Sequence, residues 1–324
     1  MGAFAIVDAR GALAHSYGDP SLTTYLRSSA KPFQALPFME ARGDQEFHLT
    51  PKEVAIMCAS HSGTDEHFET VSSFQKKAGL TESQLQCGIH APFHTETWTR
   101  MIREGRPSSP NRHNCSGKHT GMLALCELKG ESLENYVDPN HPIQQLILKT
   151  FAEMVGLKPE SVVVGIDGCS APNFAVPLRS AALGYARLCD PSGLEPARAD
   201  ACRRIIRAMT TNGMMVAGPE RFDTLVMQIA QGKLMCKTGA EGYLGLGILP
   251  NAIEPGSPAL GLAMKISDGD ELTRARPMVA LQILREMGVL SKSELDALAN
   301  FDRRPIYNFR HLEVGEYRPC FHVQ

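Results

Sequence analysis

Apolar positions alternate or run together near both ends of the chain, and recur at three- and four-residue spacing in the stretches between. That pattern predicts strands at the ends and helices in the middle. Residues 4–8, a turn at Ala9-Arg10-Gly11 and residues 12–16 read as a hairpin. Thr50-Pro51-Lys52-Glu53 combines an N-cap threonine, a first-turn proline and a capping-box glutamate, and so starts a helix through Val54, Ile56 and Met57. Further helices are expected over 65–78, 142–155 and 277–287, each stopped by a glycine (Gly79, Gly156, Gly288), and over 222–231. Residues 234–238 and 260–266 read as strands. Val162-Val163-Val164-Gly165-Ile166 is a continuous apolar run and predicts a buried central strand. No repeat, low-complexity segment or Ser/Gly linker interrupts the pattern. The fold class is therefore α/β, a mixed sheet flanked by helices, in one catalytic domain over 1–324 with room for an inserted helical lobe.

Composition narrows the partners. The 324 residues are 43% hydrophobic and 21% charged, with a net charge of −2 and no basic block, which argues against nucleic acid and anionic membranes. No apolar run approaches the ~20 residues of a membrane span. The first residues lack a signal-peptide pattern. Nine cysteines without a CxxC pair point to reduced thiols and a cytoplasmic setting.

Candidate chemistry begins at Arg27-Ser28-Ser29-Ala30-Lys31-Pro32. Positions i and i+3 share a helix face, so Lys31 can serve Ser28 as base if its amine is neutral near pH 7. Ser73 and Lys76 have the same spacing in an ordinary amphipathic helix, so spacing alone is weak. Pro32 places Ser28 at a helix mouth, where N–H groups and the dipole favour negative charge. Against that, a residue before proline resists helical geometry, which strains the expectation for Lys31, and Pro37 is expected to kink the helix. Cys115 lies in Asn114-Cys115-Ser116-Gly117-Lys118-His119, and Cys169 in Asp167-Gly168-Cys169-Ser170-Ala171-Pro172. Far apart in sequence and without local pairing, they read by spacing as buried free cysteines rather than as two zinc thiolates. Lys237-Thr238-Gly239 ends a strand. A Ser-x-x-Lys followed by Lys-Thr-Gly is the signature order of serine β-lactamases and penicillin-binding proteins. Their Ser-Asp-Asn element is absent, and Ser60 in Ala59-Ser60-His61-Ser62-Gly63 stands in its place, with His61 in a supporting position.

These five stretches together, in order along nearly the whole chain, resemble the rhizobial-type (asparaginase II, thermolabile) L-asparaginases. The resemblance implies a fold like that of serine β-lactamases and hydrolysis of L-asparagine to L-aspartate and ammonia. It implies two serine/lysine pairs, Ser28 with Lys31 and Ser60 with Lys237, acting through an acyl-enzyme. A zinc ion bound by Cys115, Lys118 and Cys169 and a homodimer are implied as well. Members of that family carry a further stretch before the glycine equivalent to Gly2, so an edge strand is expected to be missing here. Two other readings stay open: a β-lactamase-like or peptidase-like amidohydrolase, and a zinc-containing protein that binds an amino acid without turning it over.

Overall fold

The computed structural model describes residues 1–271 and 273–323. Its largest sheet joins the start of the chain to strands between residues 234 and 266. β1 (Gly2–Asp8) and β2 (Leu13–Tyr17) form the hairpin, and β6 (Leu234–Thr238), β7 (Tyr243–Ile248) and β8 (Leu260–Ile266) complete the order β2-β1-β8-β7-β6. Every strand pair is antiparallel, with Ala5 opposite Ala263 and Lys237 opposite Gly245. β3 (Thr23–Tyr25), β4 (Val163–Ile166) and β5 (Pro172–Pro177) make a second sheet in the order β3-β5-β4, and β9 (Arg304–Tyr307) pairs with β10 (Glu313–Tyr317).

A helical block occupies the chain between β3 and β4. It comprises α1 (Lys31–Glu40), α2 (Gly43–Glu46), α3 (Pro51–Met57), α4 (Asp65–Lys77), α5 (Thr95–Arg103), α6 (Ser116–Lys129) and α7 (Pro142–Met154). After β5 come α8 (Leu178–Cys189), α9 (Pro196–Thr211), α10 (Gly213–Val216) and α11 (Phe222–Ala230), and after β8 come α12 (Ala275–Glu286) and α13 (Lys292–Ala297). α8 lies across β1, β7 and β8. It sits so close that a Cβ built on Gly261 would stand 1.9 Å from the Ala182 carbonyl oxygen. α9 and α11 pack on β6. Covered this way, β6 and β7 are buried along their whole length, and β1 over five of its seven residues.

The capping box at Thr50 forms as expected: Glu53 accepts from the Thr50 N–H at 2.6 Å while Thr50 accepts from that of Glu53. Gly79, Gly156 and Gly288 follow their helices at positive φ. Ser73 and Lys76 lie exposed on α4, so their Ser-x-x-Lys spacing has no chemical consequence. Lys31 opens α1 in helical geometry (φ −59°, ψ −39°) despite Pro32, and α1 continues through Pro37 to Glu40. One strand departs from its reading. β4 is not a buried central strand but an edge: it pairs only with β5, and Val163, Val164 and Ile166 are exposed. A run of apolar side chains marks a strand; whether anything covers it depends on distant parts of the chain. Among the described residues, no helix is long and apolar enough to cross a membrane.

Candidate active site

The turn that carries Ser28 is anchored on all sides. Residues Arg27–Ala30 form a single 3-10 turn leading into α1. The Leu26 N–H donates to the Phe174 carbonyl at 3.0 Å and the Arg27 N–H to Asn173 Oδ1 at 3.0 Å, which ties the turn to β5. Arg27 sits at φ +53° and sends its guanidinium to Asp167 (2.7 Å) and Glu241 (2.5 Å). Buried Ser29 donates its hydroxyl to the Lys237 carbonyl at 2.6 Å and accepts at its own carbonyl from Tyr185 Oη at 2.6 Å. With Ser29 turned inward, the neighbouring Ser28 lines a cavity of about 220 Å³.

Ser60 lines the same cavity from the segment after α3, where its N–H donates to the Val216 carbonyl at 2.9 Å. Beneath it, Lys31 is 1% exposed. Its Nζ has three acceptors: the Ala59 carbonyl at 2.5 Å, Ser60 Oγ at 3.0 Å and the Asn114 carbonyl at 3.3 Å. The hydroxyl partner of Lys31 is thus Ser60. Among the described residues no hydrogen bond joins Ser28 to Lys31 or Ser60 to Lys237. The Lys31 N–H donates to the Ser28 carbonyl and closes the turn, while the Lys31 amine is turned to the oxygens of Ala59, Ser60 and Asn114 instead. His61 is buried, bonded to Ser116 Oγ at 2.8 Å and stacked on His67, and among the described residues makes no hydrogen bond to Ser28 or Ser60.

Lys237, fully buried on β6, makes one hydrogen bond from Nζ, to the Thr238 carbonyl at 2.8 Å. Burial lowers its pKa to about 8; the charges of Lys31 and Arg221 act the same way, and Asp223 opposes them. The next residue is fixed twice by Asp223, which accepts from the Thr238 N–H at 2.5 Å and hydroxyl at 2.6 Å. At Gly239 the backbone meets the Leu26 carbonyl, 2.4 Å from where a Cβ would stand, so the glycine serves the joint between β6 and the serine turn.

Several cavity residues carry no signal that sequence reasoning used. Asn114 lies in a stretch singled out for Cys115, whereas Arg221, Asp223 and Arg276 went unnoticed. Arg276 is buried against Asp270 at 3.0 Å and also donates to the Gly239 carbonyl. Asp223, two residues inside a predicted helix start, could have been read as a cap; its bond to a strand residue could not.

Cys115, Lys118 and Cys169 converge behind this cavity, all buried. Lys118 Nζ stands 3.0 Å from Cys169 Sγ. A hydrogen bond from the Cys115 thiol, together with the Lys118 charge, holds Cys169 far below the ordinary thiol range although burial opposes it. The same hydrogen bond and burial push Cys115 up. Burial works against the Lys118 ammonium, yet the charge on Cys169 raises its pKa. Two sulfurs and an amine in one dry spot are a donor set that suits zinc once the amine and the second thiol lose their protons. Among the described residues, no three His, Cys, Asp or Glu side chains gather to hold a metal, so any site here depends on the lysine. The cluster and the serine turn are joined directly, since Arg27 grips Asp167 two residues before Cys169.

A search of the solved structures gives matches at low identity. A probable glutaminase from Bacillus subtilis, complexed with 6-diazo-5-oxo-L-norleucine, is 12% identical over 83% of this chain and 78% of its own, with a TM-score of 0.36. A β-lactamase from Mycobacterium bovis is 12% identical over 89% of this chain and 95% of its own, with a TM-score of 0.44. The comparison with curated proteins gives no match. The family comparison is of another order, because residues 1–319 match the model of L-asparaginase II. With that match running through every stretch that builds the cavity, the chain belongs to the L-asparaginase II family of amidohydrolases.

Proposed function

We propose that the protein hydrolyses L-asparagine to L-aspartate and ammonia through an ester on Ser28. The observation that carries this reading is the Lys31–Ser60 hydrogen bond in a cavity that also presents Ser28. Ser28 Oγ attacks the carboxamide carbon and its proton passes to Lys237, the amine whose pKa is drawn down to about 8. The start of α1 beside Ser28 favours the oxyanion. As the C–N bond breaks, Lys31 delivers a proton through Ser60 to the departing nitrogen, and ammonia leaves. Water then attacks the β-aspartyl ester, giving its proton back to Lys31 by way of Ser60. Ser28 recovers its own proton from Lys237 as the ester C–O bond breaks. This arrangement gives Lys31 the acid's part and Lys237 the base's, the reverse of what sequence spacing suggests.

Cys115, Lys118 and Cys169 would hold the zinc ion expected of the family, and a bound zinc ion supplies a fixed positive charge that disfavours protonation of nearby amines. The test is ammonia release from L-asparagine and L-glutamine by the protein and by Ser28→Ala and Ser60→Ala variants, with mass spectrometry of acid-quenched samples. Turnover lost in both variants, with a β-aspartyl adduct on Ser28 alone, is the expected result. An adduct on Ser60 would reverse the roles of the serines, and no ammonia from either amide would end the asparaginase reading.

A further inference from the structure

The cations around the cavity are not equivalent. Arg27 is paired with Asp167 and Glu241, and Arg276 with Asp270. Lys31 and Lys237 are buried and turned onto backbone carbonyls. Arg221 differs: it lines the cavity with Ser28 and Ser60, is half-buried, and among the described residues has no carboxylate within ion-pair distance. Its backbone is held firmly. Thr224 receives the Gly218 N–H and donates to the Gly218 carbonyl, while Ser62 Oγ donates to the Ala217 carbonyl at 2.8 Å. With the Ser60–Val216 bond these contacts fasten the loop before Arg221 to the segment that carries Ser60. The residue also caps α11 (φ −81°, ψ 142°), so the helix N-terminus adds to the positive potential. The one nearby carboxylate on the same element, Asp223, has both oxygens occupied by Thr238.

A half-buried guanidinium without a counter-ion, on a pinned loop beside two serine hydroxyls, is free to pair with an anion that enters the cavity. We infer that Arg221 binds the α-carboxylate of the amino-acid substrate, and thereby restricts the site to amides that carry a free carboxylate. The inference rests on the amidohydrolase reading above and assigns Arg221 a binding and specificity role in it. Planar bidentate pairing would orient the substrate so that its side-chain amide reaches Ser28.

The experiment compares the unaltered protein with Arg221→Gln and Arg221→Lys on two amides. One is L-asparagine; the other is 3-aminopropanamide, the same molecule without its α-carboxylate. The expected result for Arg221→Gln is a KM for L-asparagine raised about 10- to 100-fold, the scale of a lost charged hydrogen bond, and kcat within a few-fold. Hydrolysis of 3-aminopropanamide, slow in every form, should fall far less, by no more than the few-fold that loss of the Arg221 charge near Lys237 costs, and Arg221→Lys should recover part of the loss. Equal losses on both amides, or an unchanged KM for L-asparagine, would overturn the inference while leaving the asparaginase reading intact. Calorimetric binding of L-aspartate and of 3-aminopropanoate separates the two failures. If no form releases ammonia, a preference for L-aspartate that vanishes in Arg221→Gln still supports the carboxylate site, and its absence overturns it.

Discussion

At the scale of single residues, Lys237 is the group whose environment most alters its chemistry. Its pKa near 8 predicts that kcat/KM rises about tenfold per pH unit below that value and levels off above it, as a pH–rate profile will show. The same burial has a consequence for stability. With a folded pKa below the ordinary 10.5, the unfolded chain holds the extra proton between pH 8 and 10.5, so stability rises with pH through that window. Lys237→Met should abolish turnover yet raise stability at pH 7 by up to about 3 kcal/mol, a gain that shrinks as pH climbs toward 10.5. Denaturant titrations at pH 7 and pH 10 check both the sign and the trend. Sequence reasoning singled out Ser28, Ser60 and Lys237 because their residue types and order carry chemistry on their face, and the fold brings Ser28 and Ser60 to one cavity. The hydroxyl partner of Lys31 was beyond it, because an i, i+3 rule weighs only neighbours along the chain, and Ser60 comes within 3.0 Å of the amine only through the fold. Arg221 was equally invisible: an arginine matters there for lacking a partner, and partners are set by the fold.

At the scale of elements, local signals located most boundaries. The box at Thr50 closes with both bonds, and Thr50→Ala should cost about 1 kcal/mol in a denaturant melt. The sheet–helix contact at Gly261 is the stricter test. A Cβ there would run into the Ala182 backbone, which has no rotamer to yield, so Gly261→Ala should destabilise by roughly 1–3 kcal/mol. Wild-type stability in that variant would mean that α8 can slide on the sheet. The run at 162–166 shows the limit of element reading. β4 and β8 are both apolar, yet β8 lies between β1 and β7 under α8, while β4 ends a sheet and leaves Val163 and Ile166 exposed. Composition determines that such segments extend; it says nothing about what covers them.

At the scale of the whole molecule, Arg27 couples the serine turn to the Cys169 loop, so the cavity and the sulfur–amine cluster should respond together. Added zinc is expected to raise Tm at pH 8, with little effect in a Cys169→Ser variant and less at pH 6, because binding must displace the protons of the Lys118 amine and the Cys115 thiol and a higher proton concentration opposes that. No shift in Tm and no retained metal after dialysis would remove zinc from the proposed function. What the amino-acid order alone determined was the succession of strands and helices, the caps that bound them and the family whose five stretches they carry. These are local properties, written in spacing and residue type. Tertiary structure decided which strands are covered, which hydroxyl Lys31 meets, how far the Lys237 amine is drawn from its ordinary pKa and which arginine is left without an anion. Each of those depends on groups distant in sequence brought within a few ångströms, where burial and charge act on one another, and no reading of neighbours along the chain contains them.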